Sequence, residues 1–319
     1  MRTGFKILLG CLATPVALLL LFLILHLIFR AVPFPESERA DASREASGTV
    51  TLDQLVAEGL AGGKLPAPPG RAVPVSLILE EGNFTVKPAP EGEGFKVEGN
   101  YDKTMYKLEH AIARDASGAV SFSLSFVPRY SMFRRLLTMG SFEVDENTNV
   151  LTVYVPRDVP LALTMQVSKG ESHIDLSGLS IASASLELQM GEHKVTVDEP
   201  NPIEMTSFKV NQSMGEIGLY GLGNLRSESI SIWGGMGELS IDIGEALRRD
   251  TKMFARMRMG EMSIGLPTDA RIDAHSMMFL GESSGNPNRA EGKHHLDLEV
   301  SATMGALSYH DSRFIADPL

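Results

Sequence analysis

Over residues 161–309 the chain alternates apolar and polar positions with period two, and a short phrase interrupts the alternation at regular intervals. Leu186, Leu188 and Met190 lead into Gly191, and Val195 and Val197 lead out of it; Ile230 and Ile232 precede Gly237, and Leu239, Ile241 and Ile243 follow it. Period two is the mark of strands with one buried face. The three- and four-residue spacing of an amphipathic helix is absent. The phrase reads KGESHIDL (169–176), MGEHKVTV (190–197), MGEIGLYG (214–221), MGELSIDI (236–243), MGEMSIGL (259–266), LGESSG (280–285) and MGALSY (304–309). Its glycines, Gly170, Gly191, Gly215, Gly237, Gly260, Gly281 and Gly305, fall 21 to 24 residues apart. A period in the low twenties predicts stacked units, each covering its neighbour's apolar face. With room for two or three short strands per unit, the expected fold is all-β, a β-helix-like solenoid of about 22 residues per coil.

Each part of the phrase has a physical reading. The glycine permits a corner between strands, where a side chain would be strained or would block close backbone approach. The Met or Leu before it is expected to point inward and stack on its counterpart one coil away, the thioether filling an irregular corner. The residue after it is acidic in six of the seven phrases: Glu171, Glu192, Glu216, Glu238, Glu261 and Glu282, with Ala306 in the last. In-register stacking places these carboxylates roughly 4.8 Å apart. Such a like-charge pair costs about 0.9 kcal/mol in bulk water and more near a protein surface. The ladder therefore reads either as a stripe for cations such as Ca²⁺ or for a partner, or, more plainly, as a solvated edge that discourages aggregation.

The repeated apolar-Gly-Glu-apolar-x-apolar units, preceded by NVLTVYVPRDVPLALTM (149–165), resemble the toast-rack or adhesin-type β-solenoid domains of bacterial envelope proteins, including relatives of Lia-type envelope-stress proteins. The resemblance runs from about residue 72 to 309 and takes in VSLILEEGNFTVKP (75–88) as an earlier, degenerate repeat. It implies a membrane-anchored, extracytoplasmic, non-enzymatic module. This chain departs from the pattern in having a single N-terminal apolar span and in Ala306.

Earlier segments give the organisation. Residues 7–29, ILLGCLATPVALLLLFLILHLIF, carry no charge; as a helix they would be about 34 Å long against a hydrocarbon core of about 30 Å. Arg2 and Lys6 precede this stretch, and Arg30 followed by a mixed acidic run succeeds it. The positive-inside rule then puts the amino terminus in the cytoplasm and the β domain outside the bacterial inner membrane. LLGC (8–11) has the letters of a lipobox, but its apolar run follows the cysteine instead of preceding it, so an uncleaved anchor is the better reading. The expected division is an anchor over 1–30, a linker with a short capping helix near 51–59 over 31–71, an irregular β part over 72–160, and regular repeats with a C-terminal cap over 161–319. Strands are expected at 75–86, 95–98, 106–110, 120–126, 141–144 and 151–155. SMFRRLLT (131–138) reads as a surface helix or an amphipathic excursion.

Composition narrows the function. The 319 residues carry a formal net charge of −11 with no long basic cluster, which argues against nucleic acid as a partner. The one cysteine, Cys11, lies in the anchor, so neither a disulfide framework nor a cysteine nucleophile is expected in the β domain. No Walker, GxSxG, HExxH or dinucleotide pattern occurs, and His294-His295-x-Asp297 is a weak metal pattern. A carbohydrate-active β-helix enzyme would need paired carboxylates in a groove with aromatic platforms. Here aromatics make up 7% with Trp233 the single tryptophan, and the recurring acids follow the repeat. The expectation is therefore a non-enzymatic binding or scaffolding module of the envelope, with no cofactor, the bilayer met through 7–29, an envelope or membrane protein as partner, and homo-oligomers allowed. A carbohydrate-active enzyme and a self-assembling adhesin are the alternatives.

Overall fold

A computed structural model describes residues 19, 39–41, 72–114, 120–130 and 149–312. The expected anchor at 7–29 lies outside these except for Leu19, which is helical, and so do Cys11, the helix at 51–59, the segment 131–138, the strand at 141–144 and the C-terminal ending 313–319. Among the described residues no helix is long and apolar enough to cross a membrane.

The described part is nearly all strand. It runs β1 (Arg39–Asp41), β2 (Val73–Glu81), β3 (Asn83–Pro88), β4 (Lys96–Asp102), β5 (Tyr106–Arg114), β6 (Val120–Pro128), β7 (Val150–Val155), β8 (Leu161–Lys169), β9 (Ser172–Asp175), β10 (Ile181–Thr196), β11 (Met205–Tyr220), a single 3-10 turn (Leu222–Leu225), β12 (Ser227–Asp242), β13 (Thr251–Leu266), β14 (Arg271–Ser284) and β15 (His295–Asp311). All belong to one sheet. From β10 onward each repeat is one strand of 14 to 17 residues bent at its glycine, where two or three short strands were expected. Only the earlier units are split at the corner, into β2 and β3 at Gly82 and into β8 and β9 at Gly170.

The long strands pair in parallel and in register, so the phrases lie one over another. Leu186, Val210, Ile232, Ala255 and Val300 form one buried ladder, and Val195, Leu219, Ile241, Ile264 and Tyr309 another on the far side of the bend. Buried side chains of both arms meet inside the bend, and the connecting segments close the core with Leu176, Leu222, Leu225 and Leu247. Asn201 secures one such loop from within: 1% exposed, it accepts from the Ile181 amide at 3.2 Å and donates to the carbonyls of Ile181 at 2.7 Å and Leu225 at 3.2 Å. This satisfies backbone groups that a buried loop would otherwise strand.

Spatial order departs from chain order at one end. The sheet runs β13-β15-β14, so the last repeat in sequence is inserted between the two before it. The edge is β14, not the C-terminal strand that was expected to be capped by the chain ending. Its first residues are covered by the loop after it: Ile272 and Arg289 exchange backbone hydrogen bonds at 2.8 and 3.0 Å, and the Asn288 side chain accepts from the Ala274 amide. At the opposite end β4, β5 and β6 add antiparallel pairings, with β1 on β4. Antiparallel strands of this kind end a parallel stack without offering another copy of the same pattern.

Candidate functional site

The corner is fixed by backbone contact. At Gly237, φ is 129°, and a Cβ built there would lie 1.9 Å from the Gly215 carbonyl oxygen. The same approach recurs along Gly82, Gly170, Gly191, Gly215, Gly237, Gly260, Gly305 and Gly281, each against its neighbour. Gly82 extends the expected ladder by one strand pair, at the degenerate repeat.

Around this backbone the structure corrects the expected packing of the corner methionines. Met190, Met214, Met236, Met259 and Met304, with Leu280, do not point inward; they are 39–52% exposed. The cause is a parity break. Leu188 and His193 both face the core although five residues apart, so one extra residue is spent at the bend. The sheet register accordingly steps from Leu188 to Met190 and skips Gln189. In register, the six side chains form one apolar ridge along the stack.

The acidic ladder lies two residues farther on. Glu192, Glu216, Glu238, Glu261, Ala306 and Glu282 are in register, and Glu171 precedes Ser172, which pairs with His193. All six glutamates are exposed. Because β15 is inserted, Ala306 separates Glu261 from Glu282 and interrupts the row of like charges. Among the described residues no three His, Cys, Asp or Glu side chains converge to hold a metal ion. The histidine pattern of the sequence is dispersed: His295 Nε2 meets Asp273 at 2.9 Å, and His294 Nδ1 lies 3.5 Å from Asp250. Asp273 is held below the usual carboxylate range, chiefly by the His295 hydrogen bond.

Two clefts flank the corner. The first, about 440 Å³, is lined by Asn83, His173, His193, Lys194, Glu216 and Tyr220 among others. His193 Nδ1 and Ser172 Oγ are hydrogen bonded at 2.8 Å, and burial pushes His193 down to about 4. A serine beside an imidazole invites comparison with a nucleophile and its base. Here the pair occupies core positions, with exposures of 5% and 3%, and His193 Nε2 has no partner to orient it. The arrangement is that of a buried polar contact within an apolar ladder that continues through Ile217, Leu239 and Met262.

The second cleft, about 710 Å³, lies on the other side of the ridge, across β11, β12, β13 and β15. Trp233, 43% exposed, stands in register between Asn211 and Arg256, with the Arg256 guanidinium 5.6 Å from its ring centroid and Phe254 5.2 Å away. Arg258, Gly234, Gly235, Gln212, Ser213 and Thr303 complete its lining. Gln212 is a glutamine where the adjacent coil has Leu188. Sequence reasoning passed over it because only the register reveals that this polar residue occupies a core position.

No family model matches the chain, and no curated protein matches it. A solved structure of a "putative cell adhesion protein" from Clostridium sporogenes is similar over 77% of this chain and 96% of that one, at 15% identity and a TM-score of 0.38. A likeness of that size carries no argument about function.

Proposed function

We propose that this chain is a non-enzymatic binding and scaffolding module: a β-solenoid held outside the bacterial inner membrane by an anchor at 7–29, presenting its corner to an envelope or membrane protein. The observation that carries the reading is the apolar ridge of Met190, Met214, Met236, Met259, Met304 and Leu280 beside the glutamate ladder. Soluble proteins seldom display so continuous an apolar line without using it. Methionine's unbranched, polarizable side chain adapts to a partner surface. Five steps of about 4.8 Å make the ridge about 24 Å long, the length of about 16 helical residues. The complementary partner is a segment with an apolar stripe next to Lys or Arg. The uncharged stretch and its flanking basic residues support the anchor, and the resemblance to Lia-type proteins suggests envelope-stress sensing as the setting.

The reading is tested by replacing Met214, Met236 and Met259 together with serine in the full chain and comparing chemical cross-links in native cells. A discrete adduct present in the wild type and absent from the variant is expected. An unchanged cross-link pattern refutes the ridge as the contact.

One observation favours a second reading, self-assembly. Beyond Ala274 no described strand pairs with the outer edge of β14, and Met277 and Phe279 there are 70% and 77% exposed. Such an edge is a template for another strand. Sedimentation of the full chain should then show concentration-dependent dimers that Phe279→Lys removes; a concentration-independent monomer rejects this reading.

A further inference from the structure

The cleft around Trp233 has features that neither the ridge nor the stacked core explains. The tryptophan, the only one in the chain, is left 43% exposed on a flat sheet face. Gly234 and Gly235 follow it: a Cβ at Gly234 would meet Met257 in the core, and one at Gly235 would lie 2.0 Å from the Ser213 carbonyl oxygen, at the place that Ser213 and Arg258 hold in the adjacent strands. Arg256 and Arg258 make no ion pair among the described residues, although Arg157, Arg249, Arg271 and Arg289 each pair with a carboxylate. In a chain of net charge −11, two unneutralised guanidinium groups beside one indole need a reason.

Beneath the cleft, on the core face of β11, Gln212 is a separate anomaly. Gln212 is 5% exposed; its amide nitrogen donates to the Gly215 carbonyl at 2.6 Å, and its Oε1, also buried, accepts from no group. An orphaned buried acceptor is destabilising, and the leucine of the neighbouring coil shows that the fold accommodates an apolar residue there.

We propose that this cleft binds a sugar ring carrying an anionic group, such as a uronate residue of an acidic polysaccharide. The apolar face of a pyranose packs on the indole. Its carboxylate takes the forked donors of Arg258 and of Arg256, which the indole already holds in place. A bare anion would leave the tryptophan unused, and a neutral apolar ligand would desolvate two unpaired arginines. The cleft adjoins the ridge but shares none of its side chains, so this inference and the protein-partner reading fail separately.

Because Trp233 is the sole tryptophan, its emission reports the site directly. The full chain is titrated with hexagalacturonate, with maltohexaose and with inorganic phosphate. Saturable change is expected with hexagalacturonate alone, and Arg258→Gln should weaken it about tenfold or more with the thermal midpoint unchanged. The inference is overturned by no saturable response, by an equal response to maltohexaose, by phosphate displacing the oligosaccharide at equal concentration, or by Arg258→Gln binding as the wild type does.

Discussion

Replacing Gly237 with alanine tests the corner itself. The backbone there has φ of 129°, outside the region that L side chains adopt, and the new Cβ would sit 1.9 Å from the Gly215 oxygen and 2.8 Å from its carbonyl carbon. Ordinary contact needs about 3.4 Å, so the coils would have to part by about 1.5 Å at a hydrogen-bonded ladder. Backbone strain contributes roughly 1–3 kcal/mol, and each ladder bond left unmade roughly 1–3 kcal/mol more. The expected loss is about 4 kcal/mol or greater, in the range reserved for specific structural damage. Gly92→Ala is the control: φ is also positive, at 77°, but nothing lies within 4 Å of its Cβ, so only about 1–2 kcal/mol of left-handed strain applies. Urea unfolding of the full chain, followed by Trp233 emission, compares the two midpoints. Equal losses would refute the argument that coil-to-coil contact, not φ alone, demands glycine.

Other consequences are separately measurable. His193 is held near 4 by burial against an ordinary value of 6.5, so the unfolded chain binds its proton first as pH falls. Its contribution is complete above about pH 6.5 and declines toward pH 4, by about 3 kcal/mol. Thermal melts at pH 7 and pH 4.5 should show a smaller decline in His193→Leu than in the wild type. Asn201→Ala removes three buried hydrogen bonds to Ile181 and Leu225 and should lower stability by about 2–4 kcal/mol in urea titration. Gln212→Leu, which substitutes the residue found at 188 in the adjacent coil, should raise stability by about 1–2 kcal/mol in the same assay.

How much of this was legible in the sequence differs between backbone and surface. Strand type and in-register stacking follow from the period-two pattern and the recurring glycine, because both are local constraints that repeat. The direction of the corner methionines was not legible. The pattern Leu186, Leu188, Met190 continues the alternation on paper, and only the extra residue at the bend turns the thioether outward. The insertion of β15 between β13 and β14 was likewise hidden, since repeat order in the chain says nothing about which edge a returning strand chooses. Ala306 was its one trace, an uncharged residue now seen between Glu261 and Glu282. The Trp233 cleft draws on four strands, and Gln212, on the core face beneath it, becomes anomalous only when set beside Leu188.

The central claim is that the corner ridge is a contact surface, and site-specific photo-cross-linking in native cells tests it most directly. A photoreactive residue placed in turn at 214, 236 and 259 of the full chain, and at 252 on the exposed face away from the corner, maps the contact coil by coil. The account predicts the same protein adduct from all three ridge positions and none from 252. Adducts from 252 equal to those from the ridge, or no adduct at any ridge position, would contradict it.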